Sequence, residues 1–473
     1  MHRNMTQDGP GIQGWRLAIP YFQIGFMRVR ILLAFFMVIA VLCCVAIAQD
    51  RASRVLTLKE AVQIAIENNR SLRIATLEID KTRWQIAETK TKRLPSFSST
   101  VLASQLLTEV DFTFKKGAFG DFPATGPIPN KDTQITTPRR PAAYVVGQAT
   151  QPLSQLYKIH LGVRLQELNS QLSSEKARAE RQALVKEVKQ AYYAVLQSES
   201  ALQVGQVNVE QYRELDRVVL QRLALEAVLK SDSMDVKAKL AHEQYTLVQL
   251  RNTLDSRKEY LNHLLGRDIR TDFSVEQVPD AGVEEVDLKV AQERALMQRP
   301  EIKEAELSTR QAEYDRRLAK ADYIPDVGLA LNYLSPFNVE VLPKNVTSLG
   351  LELKWEPWDW GRRKDVVNQK KIVETQAQAQ LRETQSKVLM DVNSRFRKLE
   401  ESRMLLQVAA VERDAARQRL HELTNKFELK AVLLSDVLRQ QATAAGASDD
   451  YQQALLGFWT AKSEFEKSVG EDQ

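Results

Sequence analysis

The stretch LTLKEAVQIAIENN at residues 56–69 decides the fold, because a related stretch, VDLKVAQERALMQRPEI, occupies residues 286–302. The two stretches are offset by 230 residues, and both keep a Leu-Lys pair and two alanines at matching positions. The offset continues without a gap as far as Pro95 in the first stretch and Pro325 in the second. Self-similarity at a fixed offset is the sequence mark of an internal repeat. The chain therefore contains two copies of one structural unit.

Each copy begins with a helical pattern. In the first copy, apolar residues follow the i, i+3, i+4, i+7 spacing of an amphipathic helix at Leu58, Ala61, Val62 and Ala65. Thr57 and Asp287 stand at matching positions just before the two patterns, and both residue types favour the N-cap of a helix. We therefore expect a helix to begin after each of them.

Two strands follow in each copy. In the second copy, apolar residues alternate with small or polar ones over residues 326–334 and 346–355, and weaker versions occupy 96–107 and 142–151. Runs of about ten residues match the length of a tilted transmembrane β-strand, although a soluble hairpin would show the same alternation. In the first copy, residues 111–141 contain three Gly and five Pro, which predicts a long exposed loop.

Very long helices follow the strands. We predict them at about residues 154–266 and 362–469, where Gly and Pro are scarce. Apolar residues recur every seven positions at Val188, Val195 and Leu202, and again at Val392, Leu399 and Leu406. Heptad spacing favours antiparallel coiled-coil packing, but an ordinary helical bundle would also show it.

These long helices must reverse direction within each copy. The predicted turns are residues 223–236 and 427–437, because Asp235-Val236 matches Asp436-Val437 at an offset of 201.

A proline marks each of the four crossings between helix and strand. These residues are Pro95, Pro152, Pro325 and Pro357. Proline ends a helix and lacks the N–H that a strand ladder needs, so it suits a boundary.

The strand count implies an oligomer. Each chain supplies four strands, whereas bacterial membrane barrels have at least eight, and a strand edge cannot stay unpaired in lipid. A dimer would give eight strands and a filled interior, and a trimer would give twelve strands and a pore.

Residues 1–48 have the features of a secretory signal peptide. Two arginines precede an apolar run at residues 31–48, and its Ala-Ile-Ala ending predicts cleavage after Ala48. An uncleaved membrane anchor is the alternative, since 18 residues can just span a bilayer. Cys43 and Cys44 lie within this run, so cleavage would leave a chain without cysteine.

The composition argues against several functional classes. Lys and Arg total 66 and Asp and Glu 61, and residues 1–48 hold four of the former and one of the latter. A nearly neutral remainder gives no basis for nucleic-acid binding. No two of the five histidines stand three or four residues apart, and no phosphate-binding glycine loop or G-x-S-x-G motif occurs. We therefore expect no enzyme, no cofactor and no metal site.

From Leu56 to Asp472 the chain resembles the TolC-like outer-membrane efflux proteins. The carrying motifs are the two opening stretches, WEPWDWGRR at 355–363, VLKSDSMDV at 228–236, LNHLLGRD at 261–268 and LLGFWTAKSEFEK at 455–467. The resemblance implies a homotrimer with a twelve-stranded β-barrel in the outer membrane and a periplasmic coiled-coil α-barrel. Arg362 to Phe427 would span roughly 100 Å as a helix, which suits such an α-barrel.

The expected fold class is mainly α with a membrane β-barrel portion. We expect the signal segment at residues 1–48, the first repeat at 49–285 and the second at 286–473. The family resemblance implies an exit duct in the outer membrane, with a long periplasmic domain, for a tripartite efflux pump or a type I secretion system. Its partners would be outer-membrane lipid, a periplasmic adaptor and an inner-membrane pump. A soluble periplasmic coiled-coil scaffold or adaptor is the alternative, since it also explains the helices.

The candidate functional residues lie at the helix turns. Asp235, Val236, Asp436, Val437 and Arg439 are candidates for a periplasmic aperture or for adaptor contacts. The resemblance implies a constriction acid at Asp436, but Arg439 stands where the family constriction has a second acid. A mixed-charge mouth with weaker cation selectivity is therefore expected, and Asp436 and Arg439 can pair at i and i+3. Solvated tip charges are the alternative.

Three tryptophans cluster where the last strand ends. Trp355, Trp358 and Trp360 are candidates for an aromatic girdle at the membrane interface. Trp355 is in phase with Leu353, which favours the girdle there, whereas packing at the junction explains Trp358 and Trp360 equally well.

Overall fold

The computed structural model of the chain describes residues 55–137, 139–226, 229–279, 286–339, 343–429 and 431–471. The predicted signal segment, residues 1–48, with both cysteines, lies outside the described residues.

The described residues form eight helices and ten strands. The helices are α1 (Leu58–Asn68), α2 (Arg70–Thr91), α3 (Gln155–Ala224), α4 (Lys230–Leu264), α5 (Leu288–Gln298), α6 (Pro300–Ala321), α7 (Arg362–Glu428) and α8 (Leu434–Val469). The strands are β1 (Val55–Leu56), β2 (Ser96–Gln105), β3 (Val110–Phe114), β4 (Asp121–Phe122), β5 (Gly126–Pro127), β6 (Thr133–Thr137), β7 (Pro141–Pro152), β8 (Ser274–Val275), β9 (Asp326–Phe337) and β10 (Val346–Lys354).

Two short strands belong to a small unit of their own. β1 pairs with β8 in parallel, with Val55 opposite Ser274 and Leu56 opposite Val275. Residues 55–56 and 272–276 are the described part of this unit, and the other described residues form the second unit.

Helices α1 and α5 begin at the predicted N-caps. The Thr57 hydroxyl accepts a hydrogen bond from the Glu60 N–H at 3.1 Å, and the Glu60 carboxylate accepts one from the Thr57 N–H at 3.3 Å. In the second copy, the Asp287 carboxylate accepts from the Lys289 N–H at 2.8 Å. Each bond satisfies a backbone donor that lacks a partner in the first helical turn, so the side chain fixes where the helix begins.

The principal sheet contains four antiparallel strands in the order β10-β9-β7-β2. The pairs β2–β7 and β9–β10 are the hairpins of the two copies, and β7–β9 joins the copies. β10 and β2 are left at the two edges of the sheet.

Residues 111–141 contain more order than the predicted loop. β3 pairs with β6 and β4 pairs with β5, which makes a double hairpin. The predicted loop is long and largely exposed, but it contains paired strands that the sequence analysis did not predict. Its glycines supply tight turns within the hairpin, and three of them, including Gly120, have positive φ.

The long helices pack as neighbouring pairs. α3 contacts α4, α7 contacts α8, and α3 contacts α8, so the lateral order is α4-α3-α8-α7. The predicted heptad positions Val188, Val195, Val392 and Leu399 are buried. No helix in the described stretches combines the length and the apolar character that crossing a membrane requires.

One offset relates the second halves of the two copies. α3 and α7 end at residues 224 and 428, and α4 and α8 begin at residues 230 and 434, so the offset is 204 at both ends of the turn. The register of the two strand hairpins requires the same offset between β7 and β10. The offset of 201 predicted at the turns was therefore wrong by three residues. A slip of three residues keeps nearly the same helix face, so the apolar pattern did not reveal it.

Candidate functional site

The four-stranded sheet has one apolar and one mostly polar or small face. Directly opposite residues in a strand pair share a face. The register places these residues on the apolar face: Phe97, Val101, Val145, Leu329, Leu331, Tyr333, Leu349, Leu351 and Leu353. The same register places Ser98, Thr100, Gln148, Asn332, Ser348 and Glu352 on the other face. Leu349, Leu351 and Leu353 are each more than 60% exposed, so none of the described residues covers that face there.

The prolines lie at the junctions between the helices and this sheet. Pro95 and Pro325 directly precede β2 and β9, Pro152 is the last residue of β7, and Pro357 follows β10. None of the four lies within a helix.

The three tryptophans are exposed where β10 leads into α7. Their exposed fractions are 59% for Trp355, 73% for Trp358 and 91% for Trp360. Trp358 and Trp360 pack edge to face with ring centroids 6.3 Å apart. The Asp359 carboxylate accepts a hydrogen bond from the Arg363 N–H, in the first turn of α7, at 3.1 Å. These backbone bonds, to Arg363 and to Gly361, lower the pKa of Asp359 despite partial desolvation.

The two helix turns share a sequence motif, L-x-S-D. Leu229 and Leu433 are the N-caps of α4 and α8, and Asp232 and Asp436 are the third helical residues. The Asp232 carboxylate accepts from the Leu229 N–H at 3.2 Å, and the Asp436 carboxylate accepts from the Leu433 N–H at 3.3 Å. The structural counterpart of Asp436 is therefore Asp232, which the sequence reasoning missed.

The other turn candidates occupy the next helical turn. Asp235 and Arg439 are equivalent at the offset of 204, and both are exposed. Val236 and Val437 are half-buried, as is Asp436. No ion pair joins Asp436 to Arg439 among the described residues, so their expected pairing is not seen. One position at the turn is therefore acidic in both copies, as Asp232 and Asp436. The other carries opposite charges in the two copies, as Asp235 and Arg439.

Exposed leucines surround both turns. Leu225 and Leu229 are 78% and 70% exposed in the first copy, and Leu429 and Leu433 are 80% and 56% exposed in the second. The pairs are again equivalent at an offset of 204. Apolar side chains left in solvent at matched positions are typical of a contact surface.

A charge network around the buried Arg299 lies where the end of α8 meets the start of α6 in the second copy, and the sequence pattern did not predict it. The Arg299 side chain is 10% exposed, and its guanidinium bonds the Asp391 carboxylate at 2.6 Å and the Glu301 carboxylate at 2.8 Å. Burial opposes ionisation of Glu301, but its bonds with Arg299 lower its pKa overall. Burial, together with Lys186, lowers the pKa of the nearby Lys467.

In the first copy, a neutral side chain makes the contact that Arg299 makes in the second. Asn69 is equivalent to Arg299 at the offset of 230, and its amide donates to the Leu264 carbonyl at 2.9 Å. Arg299 reaches the equivalent carbonyl, that of Ser468, at 3.5 Å. Asn69 therefore joins the start of α2 to the end of α4, and Arg299 joins the start of α6 to the end of α8.

The two copies differ in how their outer helices are covered. α6 packs between α7 and α3, whereas α2 packs chiefly on α3. As a result Leu77 in α2 is 54% exposed, while its equivalent in α6, Leu307, is 8% exposed. Ile74 and Trp84 lie on α2 as well, at 69% and 77% exposure. Among the described residues, α7 covers one side of α6, and no helix covers the corresponding side of α2.

Comparisons with known proteins agree with this architecture. A membrane protein from Pseudomonas aeruginosa is 17% identical with a TM-score of 0.69, and the alignment covers 87% of this chain and 93% of that one. The CmeC outer membrane channel of Campylobacter jejuni is 14% identical with a TM-score of 0.70, covering 87% and 85%. The open-state MtrE outer membrane channel of Neisseria gonorrhoeae is 16% identical with a TM-score of 0.66, covering 87% and 88%. No curated protein sequence matched the chain.

The chain shares its fold, including the amphipathic four-stranded sheet with two open edges, with these outer membrane channels. The sequence model of the outer membrane efflux protein family matches residues 61–267 and 291–471, so the chain belongs to that family. It is an outer-membrane efflux channel with a long periplasmic helical domain, and it is a passive duct and not an enzyme. The predicted fold class and location are confirmed, and the alternative of a soluble scaffold is wrong.

Proposed function

We propose that three copies of the chain close into a twelve-stranded barrel and serve as the exit duct of a tripartite efflux pump. A periplasmic adaptor and an inner-membrane pump would deliver the solute. A type I secretion system, which exports polypeptides, is the other assembly that this duct could serve. The observation that carries the proposal is the pair of open sheet edges, β10 and β2.

The strand directions suit closure between copies. Neighbouring strands in the sheet are antiparallel, so β10 and β2 run in opposite directions. β10 of one chain can therefore pair with β2 of the next in the same antiparallel manner. An unpaired edge in lipid would leave several backbone groups without hydrogen bonds. Three chains give a water-filled interior, which two would not.

The contact between the two copies is a template for the contact between chains. At the internal junction, Ala149 of β7 stands opposite Leu331 of β9. Applying the offsets of 204 and 230 to this pair places Leu353 opposite Val101 of the partner subunit. Both residues lie on the apolar face of the sheet, so this register keeps that face continuous around the barrel.

Cysteine crosslinking tests both the trimer and the register. A Val101→Cys/Leu353→Cys chain should form covalent trimers on oxidation, because directly opposite residues have Cβ atoms about 5 Å apart. The introduced thiols would be the only ones after signal cleavage, since Cys43 and Cys44 lie in the signal segment. Covalent species are counted by denaturing gel electrophoresis.

The matched control is Gln105→Cys/Leu353→Cys, which displaces one thiol by four residues, or about 13 Å along the strand. It should remain largely monomeric on the same gel. A covalent dimer as the largest product of the first variant would contradict the trimer, and stronger linking in the control would contradict the register.

The same template accounts for the uncovered helix α2. In the second copy, the α6 residue Gln311 donates to Asn169 of α3 at 2.5 Å. The offsets of 230 and 204 place the equivalent contact between chains at Lys81 of α2 in one subunit and Val373 of α7 in its neighbour. Val373 and the adjacent Ile372 are 39% and 61% exposed in the single chain. The exposed faces of α2 and α7 would cover each other in the trimer. Residues 49–285 and 286–473 would then act as six near-equivalent units around one axis.

We further propose that the helix turns form the periplasmic aperture and the adaptor contact. In a trimer each turn acid becomes part of a ring of like charges, which raises the local cation concentration. Asp232 and Asp436 contribute acid at both equivalent positions, whereas Asp235 and Arg439 contribute opposite charges. This arrangement supports the expected mixed-charge mouth.

Substitutions at the turns should change ion selectivity. Asp436→Asn should lower the preference for cations while the amide oxygen still accepts from the Leu433 N–H and preserves the helix start. Arg439→Asp should raise it, because it makes the position acidic in both copies, as Asp235 already is. Planar-bilayer recording of reversal potentials measures both effects. Unchanged selectivity in both variants would show that these residues do not line the aperture.

We propose that Trp355 belongs to the membrane girdle. It is in phase with Leu351 and Leu353 on the apolar face, and it is exposed in the single chain. Indole rings favour the interface because the ring is apolar and the N–H is polar. In a variant with Trp355 as its only tryptophan, brominated or spin-labelled lipids should quench the fluorescence strongly, and an absence of quenching would contradict this placement.

A further inference from the structure

The first copy carries an ordered projection that the second copy lacks. We call residues 110–137, which include strands β3 to β6, the hairpin arm. Its outer part is held by backbone bonds of 2.9 Å from the Gly117 N–H to the Pro129 carbonyl and from the Phe119 N–H to the Ile128 carbonyl. The Lys116 N–H donates to the Asp132 carboxylate at 2.8 Å. In the second copy only residues 338–345 join the two strands. Hydrogen bonds therefore hold the arm in a defined conformation, and it does more than connect β2 to β7.

One face of the hairpin arm is apolar and uncovered. Phe112 stands opposite Ile135 in the β3–β6 register, and Phe114 lies on the same face two residues on. The ring of Phe119 packs against that of Phe114 with centroids 5.0 Å apart. Phe112, Phe119 and Ile135 are still 40%, 58% and 41% exposed. The opposite face of the arm carries polar residues, at Asp111, Thr113, Gln134 and Thr136.

The position of the arm separates its apolar face from the hydrocarbon of the membrane. The ten residues of β2, tilted by about 40°, rise roughly 25 Å, which equals the height of the apolar band of an outer-membrane barrel. The strand therefore spans the band by itself, and the arm begins beyond it. Lipid tails are out of reach of the aromatic face, so another protein surface is needed to cover it.

The nearest such surface is a second copy of the same arm. β2 is the edge strand that meets the next chain in the proposed trimer, and the Leu106 N–H still donates to the Arg140 carbonyl at 3.3 Å beyond its end. The arm thus continues the edge that forms the contact between chains. Twelve strands about 4.8 Å apart and tilted by about 40° make a ring of roughly 12 Å radius. The five residues of β3 add about 17 Å, so each arm can reach the axis.

We propose that the three hairpin arms of a trimer pack their aromatic faces against one another over the outer mouth of the barrel and narrow it. This inference rests on the proposed trimer. The occupant of each apolar face is the same face of the neighbouring copies, which meet around the three-fold axis. The outer opening is then restricted by side-chain packing, independently of the helix turns at the other end.

Single cysteines on the two faces of the arm test this packing in the full chain. Phe119→Cys should give disulfide-linked dimers within the trimer on oxidation, because equivalent residues near a three-fold axis lie close together. Thr113→Cys, on the polar face, should give none. Both variants should keep the heat-modifiable trimer on gels, and the Val101→Cys/Leu353→Cys link reports the trimer separately.

Conductance provides the second measurement. Phe112→Ser/Phe119→Ser should increase single-channel conductance in a planar bilayer, and Thr113→Ser should leave it unchanged. An uncrosslinked Phe119→Cys chain within an intact trimer would overturn the arm packing and leave the proposed duct standing. Quenching of a fluorophore on Phe119→Cys by spin-labelled lipid would also overturn it, by placing the face on the membrane. Absence of any trimer would refute the duct itself and this inference with it.

Discussion

Leu351→Arg is expected to prevent assembly of the barrel in the outer membrane. Leu351 lies on the apolar face of β10, is 73% exposed in the single chain, and stands opposite Leu329. A charged side chain on the lipid face costs about 2–4 kcal/mol near the middle of the bilayer. A trimer places three such charges in lipid, so the total is roughly 6–12 kcal/mol. The amount of heat-modifiable oligomer in outer-membrane fractions measures the effect.

Ser348→Arg is the matched control on the same strand. Ser348 stands opposite Asn332 on the mostly polar face, which faces the interior of the proposed barrel. A charge there remains in water, and we expect normal amounts of oligomer. Equal assembly of the two variants would mean that the two faces of the sheet have been assigned the wrong way round or that the sheet does not contact lipid.

Gly266→Ala should strongly destabilise the folded chain. Gly266 lies just after the end of α4 and has φ +69, a conformation that residues with a Cβ adopt at a cost of about 1–2 kcal/mol. An added Cβ would lie 2.8 Å from the carbonyl carbon of Asn68 and nearer still to its oxygen. Because both are backbone atoms they cannot rotate away, and overpacking of this kind costs about 1–3 kcal/mol more. The midpoint of thermal unfolding, followed by the loss of helical circular dichroism, measures the change.

Two further glycines calibrate this prediction. Gly470 is equivalent to Gly266 and has φ +87, but its added Cβ would lie 3.1 Å from its nearest neighbours, so Gly470→Ala should cost less. Gly446 lies within α8 and would meet nothing within 4 Å. Gly446→Ala should therefore stabilise the chain by about 0.5–1 kcal/mol. A smaller effect at Gly266 than at Gly470 would contradict the close approach to Asn68.

The sequence was sufficient to predict elements with a strong period. Alternation of apolar residues from Val327 to Tyr333 predicted β9, and the heptads at Val188 and Val392 predicted buried positions in α3 and α7. The cap at Thr57 was predictable because the capping bonds are local and depend on residues three apart. Periods and caps are read from neighbouring residues, so they need no knowledge of the rest of the fold.

Features that depend on distant residues were not predictable. Arg299 can be buried because it pairs with Asp391, which lies in another helix. No residue near Arg299 in the sequence indicates that partner. The hairpin arm was missed because Gly and Pro between its short strands outweighed the alternation of Phe112 and Phe114. Asp232 was missed because the Asp-Val pair three residues later offered a closer match of letters than the L-x-S-D motif. The bond from the Leu229 N–H shows which aspartate begins the helix.

Because the two copies turn at equivalent positions, the length of the helical domain can change evenly only if both copies change together. The two copies turn at residues 224–230 and 428–434, so their tips descend by the same number of helical turns. Removing one heptad from α3 and its facing heptad from α4 would raise one tip by about 10 Å and leave the other in place. An adaptor would then meet a notched rim. Removing the equivalent heptads from α7 and α8 as well would shorten both tips together and restore a level rim. Both copies thus set the length of the helical domain. A change in that length during evolution requires matching insertions or deletions in the two copies.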